Sequence, residues 1–202
     1  RGLGDVYKRQ VFTSHDTSTK FNDFSTYYIP DSILIIGDKK DPEYWKDENA
    51  QTIINAFKTK MNAAGYTAVD KDDADLGLQV SYVASTYYFH GYYNDGPWWG
   101  YYPGYWYPGY WGGNWGGGWY YPYPITYSYS TGSLLADMIN LKNAPEGQKE
   151  KLTVVWNAYI SGLLGGSGSL NVNRTTTAIN QAFTQLSLIH ISEPTRLRCI
   201  SY

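Results

Sequence analysis

The sequence predicts an α+β fold, a two-layer sandwich with two helices packed on one face of an antiparallel sheet. Three observations carry this expectation. Residues 75–89 and 152–160 alternate apolar and polar side chains, the pattern of half-buried antiparallel strands. Residues 47–64 and 173–186 each carry one apolar stripe at helical spacing, so each helix lies on something. The segments follow the order β-α-β-β-β-β-α, and the economical packing is both helices against one face of a four- or five-stranded sheet.

The first strand is Phe24 to Ile29, rich in β-formers and stopped by Pro30. Asp38 to Asn49 is charged and reads as a loop. The helix from about Asp47 to Ala64 presents Ile53, Ile54, Phe57, Met61 and Ala64 on one face. Asp47 and Glu48 suit its positive N-terminal end, and Gly65 its C-terminal cap. Tyr66 to Val69 is a short second strand. From Asp75 to Phe89, Leu76, Leu78, Val80, Tyr82 and Ala84 share one face and Gln79, Ser81 and Ser85 the other. Ile125 to Asn140 is a long strand interrupted by a bulge at Thr131-Gly132. After a polar turn containing Pro145 and Gly147, Leu152 to Ile160 returns as its hairpin partner. Leu152, Val154, Trp156, Ala158 and Ile160 form its expected apolar face. A Gly/Ser linker precedes the last helix, Asn173 to Leu186, for which Asn173 is the expected N-cap.

Residues 91–124 interrupt this order between the two central strands. The 34 positions hold 10 Gly, 10 Tyr, 6 Trp and 5 Pro, with only Asn94, Asp95 and Asn114 besides. YPGYW occurs at 102–106 and again at 107–111, and GGNW at 112–115 is followed by GGGW. No lysine or arginine lies between Lys71 and Lys142. Frequent proline prevents ladder pairing and glycine adds chain entropy, so the segment reads as one long loop. Stretching a loop from four residues to this length costs only about 2 kcal/mol. Loops beyond about 12–15 residues are usually functional or disordered, however. Three readings remain open: a low-complexity excursion packed loosely on itself, a surface that stacks on flat ligands such as sugars, and a membrane-surface contact. Single-stranded nucleic acid would need cations beside the rings.

The two ends differ from what lies between. Four of the five arginines fall in residues 1–10 and 188–202, and neither string continues the adjoining pattern. Both resemble translated linker read-through, so the expected organisation is a non-native linker at 1–10, one domain at 11–187 and a non-native tail at 188–202, with a natural arm and tail as the alternative. The core then carries eleven basic and sixteen acidic residues and no cysteine, because Cys199 leaves with the tail.

Several chemistries are disfavoured. The whole chain has a net charge of -2, which leaves no basic footprint for nucleic acid. One cysteine excludes a disulfide framework and a Cys-based zinc site. The longest apolar run is Ile33 to Ile36, far short of a spanning helix. In the core only His15 and His90 remain, 75 positions apart, with no signalled nucleophile beside them. The Asp70, Asp72, Asp73, Asp75 run lacks the spacing of a calcium loop and reads as a solvated turn. Asp137 lies on the strand face of Leu135 and Ile139, either as a buried carboxylate or on an outward polar face. No catalytic residue, metal ligand or cofactor is expected.

The motifs FNDFSTYYIPDS, AAGY, ADLGLQVSY, GSLLADMINL, LTVVWNAYISG and TTTAINQAF, in this order over about residues 20–186, resemble domain-of-unknown-function family 4136. That family comprises envelope lipoproteins of Bacteroides-type bacteria. The resemblance implies an outer-membrane anchor through a lipidated cysteine upstream of this chain, and it brings no reaction with it. Asp31-Ser32-Ile33 matches the short O-glycosylation pattern of such bacteria. The expectation is a non-enzymatic envelope scaffold that offers the insert to glycan or another envelope component. Its contact residues would be Trp98, Trp99, Tyr105, Trp106, Tyr110, Trp111, Trp115 and Trp119. The alternative is an assembly protein that uses the insert for protein association or membrane-surface contact.

Overall fold

The computed structural model describes residues 9–37, 43–85, 108–111, 119–123, 130–142, 151–165 and 169–192. In chain order these form β1 (Gln10–His15), β2 (Thr26–Tyr28), β3 (Ile33–Ile36), β4 (Glu43–Trp45), α1 (Glu48–Ala63), β5 (Thr67–Ala68), β6 (Leu76–Val83), β7 (Trp119–Tyr120), β8 (Ser133–Asn140), β9 (Leu152–Ser161) and α2 (Val172–Ser192). All described strands join one sheet, whose main path runs β1-β9-β8-β6-β2-β5.

The α+β class and the two helices are as the sequence predicts, but the sheet is mixed, not purely antiparallel. β6, β8, β9 and β1 alternate in direction, with Leu76 opposite Asn140, Leu134 opposite Ile160 and Val11 opposite Ile160. On its other side β6 takes two parallel partners: β2 beside Leu76 and Gly77, and β3 beside Ser81 to Val83. The crossover that parallel pairing requires contains α1. β3 and β4 occupy stretches that sequence reasoning left without a strand, and β4 lies in the supposed charged loop. A short uninterrupted apolar run such as Ile33 to Ile36 carries no period, and a three-residue strand is too short to show one. β1 likewise falls where no strand is expected, and its first residue, Gln10, lies within the expected linker.

α1 begins where it should. The Asp47 carboxylate accepts the Ala50 N–H at 2.9 Å, which holds that acid below the usual carboxylate range. Gly65 turns the chain out of the helix at φ 95°. α2 is capped two residues earlier than expected: Asn171, not Asn173, accepts the Arg174 N–H at 2.9 Å. It also continues past Leu186 to Ser192. Both helices cover one face of the sheet. Ile53, Ile54, Phe57 and Met61 of α1 and Ile179, Ala182, Phe183 and Leu186 of α2 meet Leu76, Leu78, Val80, Leu134, Ala136, Met138, Trp156, Ala158 and Ile160. Phe183 packs against Phe57 at 6.1 Å and Trp156 at 5.3 Å between ring centres.

The bulge lies elsewhere than predicted. Gly132, at φ 78°, donates its N–H to the Val83 carbonyl and turns the chain into β8. The register breaks instead in β9, where Met138 faces Trp156 but Ile139 faces Val154. Val155 is the extra residue and joins the helix-side core. The expected apolar face of β9 is therefore split. Trp156, Ala158 and Ile160 face the helices, whereas Leu152 packs on the opposite side with Ile139.

Candidate functional site: the sheet face beneath the aromatic insert

The face turned away from the helices is also buried. Every residue of β9 is buried, as are seven of eight in β6 and in β8. This corrects the expectation of a solvated polar face. Part of the cover comes from the insert itself.

Gly77 is the seat of that contact. A Cβ there would lie 2.5 Å from Cζ3 and 2.8 Å from Cε3 of Trp111, so only glycine lets the indole rest on the strand. Trp111 ends a single helical turn at Pro108–Trp111 and is 4% exposed. It packs with Ile139 and Leu152. The Tyr110 ring meets it edge-on at 5.2 Å and the Tyr28 ring at 6.2 Å. The Tyr28 and Tyr110 hydroxyls lie 3.3 Å apart. Lys71 Nζ donates to the Tyr110 carbonyl at 2.7 Å and sits 4.5 Å from the centre of its ring. Further along the insert, β7 pairs in parallel with Leu152 and Thr153 of β9.

Next to this seat runs a polar row. The register aligns Gln79, Asp137, Asn157 and Ser14 across four strands. Gln79, Asp137 and Asn157 are all buried. Trp111 Nε1–H donates to Gln79 Oε1 at 3.2 Å, and the Tyr121 hydroxyl donates to Asp137 Oδ1 at 3.2 Å. Burial pushes the Asp137 carboxyl up to about 7, against the smaller opposing pull of the Tyr121 hydrogen bond. Gln79 Nε2 and Ser81 Oγ are buried with no hydrogen-bond partner among the described residues. One strand-step away, the Tyr159 hydroxyl meets Ser130 Oγ at 2.9 Å and Ser133 Oγ at 3.0 Å, and Phe12 stacks on its ring.

The model of a domain of unknown function, DUF4136, matches residues 11–186. The chain belongs to the DUF4136 family. A crystal structure of a DUF4136 family protein from Bacteroides thetaiotaomicron VPI-5482 is similar to it, with 52% sequence identity and a TM-score of 0.79. The match covers 90% of this chain and 97% of that one. No curated protein matches the sequence.

Of the contact residues proposed for this DUF4136 domain, Trp98, Trp99, Tyr105, Trp106 and Trp115 lie outside the described residues. Trp111 is buried, with its ring packed on Gly77 and beside Ile139 and Leu152. Tyr110 and Trp119 are half-buried beside it. The residues that build the seat, Gly77, Lys71 and Gln79, were missed, although a glycine inside an alternating strand is itself a signal of close approach. Asp137 takes the buried one of its two readings. His15 pairs with Trp156 at the sheet edge, and His90 lies outside the described residues. Among the described residues no three His, Cys, Asp or Glu side chains are grouped to hold a metal. Within the acidic run, Asp75 is structural: its carboxylate accepts the Ser25 N–H at 2.8 Å and lies 3.6 Å from Lys142 Nζ.

Proposed function

We propose that this DUF4136 domain is a non-enzymatic, lipid-anchored component of the cell envelope whose sheet holds an aromatic loop for contact with glycan. The observation that supports it most is the seating of the insert at two places, Trp111 on Gly77 and Trp119-Tyr120 on β9. A loop held at both places on a rigid sheet presents its rings with less ordering cost on binding. Tyrosine and tryptophan supply flat apolar faces with polar edges, the chemistry that stacks on sugar rings. The envelope location rests on the family resemblance.

Tryptophan fluorescence titrations against soluble polysaccharides and against lipid vesicles test the contact. A saturable change with a polysaccharide and none with vesicles is the expected result. A response to vesicles alone identifies a membrane contact, and sedimentation that changes with protein concentration identifies self-association. Palmitate labelling of the natural precursor in cells tests the anchor, and an unlabelled protein removes it from the account.

A further inference from the structure

We propose that the buried row of Gln79 and Asp137, with Ser81 beside it, is a saccharide subsite that the insert's own Trp111 and Tyr121 occupy in the structure described here. This rests on the glycan reading above and specifies its polar half.

The argument starts from the hydrogen-bonding groups. Gln79 offers an amide donor and acceptor, and Ser81 a hydroxyl that does both. Asp137 accepts when ionised and can donate when protonated. The Gln79 Nε2 and Ser81 Oγ atoms are buried with no partner among the described residues, a state that native interiors rarely leave without a reason. The groups on the other side of the row come from the insert, and both are neutral donors beside aromatic rings. The Tyr121 hydroxyl sits on Asp137 as a sugar hydroxyl would, and the Trp111 N–H sits on Gln79. Neighbouring strands about 4.8 Å apart give the row from Gln79 to Asn157 a length of about 10 Å, the span of a disaccharide.

Competition between Tyr121 and a ligand hydroxyl for the same carboxyl oxygen makes the idea testable. Isothermal titration calorimetry with maltohexaose, cellohexaose and chitohexaose is run on the wild type, Gln79→Leu, Tyr121→Phe and the double variant Trp98→Ala/Trp99→Ala. At least one oligosaccharide should bind the wild type. Gln79→Leu should weaken it tenfold or more, and Tyr121→Phe, which removes the competing hydroxyl and keeps the ring, should tighten it severalfold. If Gln79→Leu does not fold by circular dichroism, Tyr121→Phe decides alone. Unchanged or weaker binding by Tyr121→Phe, with loss in the Trp98/Trp99 variant, overturns the subsite and leaves the glycan reading standing. No binding of any oligosaccharide to the wild type overturns both.

Discussion

The helix-facing side of the sheet and the side beneath the insert are made by the same strands, yet they are filled in different ways. On the first, Leu76, Leu78, Val80, Leu134, Ala136 and Met138 meet α1 and α2, with Phe57, Trp156 and Phe183 in the middle. On the second, one apolar cluster of Trp111, Ile139 and Leu152 borders a buried row of amide and carboxyl groups. Apolar burial is non-directional and tolerant; a buried polar row is favourable only when its groups are paired. The helix side is therefore expected to carry the stability of the fold, and the insert side to carry a docking that can be undone separately.

Substitutions on the two faces should separate these roles. Phe57→Ala, in the helix-side core, should cost about 4 kcal/mol of global stability, read as a lower urea midpoint with an unchanged slope. A loss below about 1 kcal/mol would show that this face is not where the fold is held. Gly77→Ala forces a Cβ into the Trp111 ring and should cost about 2 kcal/mol. A neutral result would mean that the indole moves aside freely.

The pH dependence of the second face has a definite sign. Asp137 is raised in the folded state to about 7 from an ordinary value of 3.8. Between those values the unfolded chain binds fewer protons at this group than the native one. Its contribution is therefore fully present below about pH 4 and falls by about 1 kcal/mol per pH unit as pH rises towards 7. Asp137→Asn should flatten that slope in thermal melts, and an unaltered slope would assign the dependence to other groups. The smallest effect is expected far from this face: Asp47→Ala removes the N-cap of α1 and should cost about 1 kcal/mol.

Much of this fold is legible in the sequence, and the illegible parts share a cause. α1, α2, β6 and β9 announce themselves through long apolar periods, and β8 through part of one. β3 is too uniformly apolar and β4 too short to show a period, and the six residues of β1, QVFTSH, do not alternate. The alternation in β6 reads as one wet face because Gln79 and Ser81 are polar, which would be correct for a bare sheet. Part of what covers Gln79 is Trp111, from a segment without periodicity, so no local pattern could reveal it. The bulge at Val155 flips Leu152 to the insert side, and only the register with β8 exposes it. For the site, ring abundance pointed to the insert but could not separate anchor from contact. Trp111 is seated by Gly77, 34 positions earlier in the chain.

Amide hydrogen exchange on wild type and Gly77→Ala tests the separation of the two faces most directly. The account predicts that Trp119, Tyr120 and the β9 amides paired with them lose protection in the variant while β6, β8 and α1 keep theirs. Loss of protection throughout the sheet, or none at Trp119 and Tyr120, would contradict it.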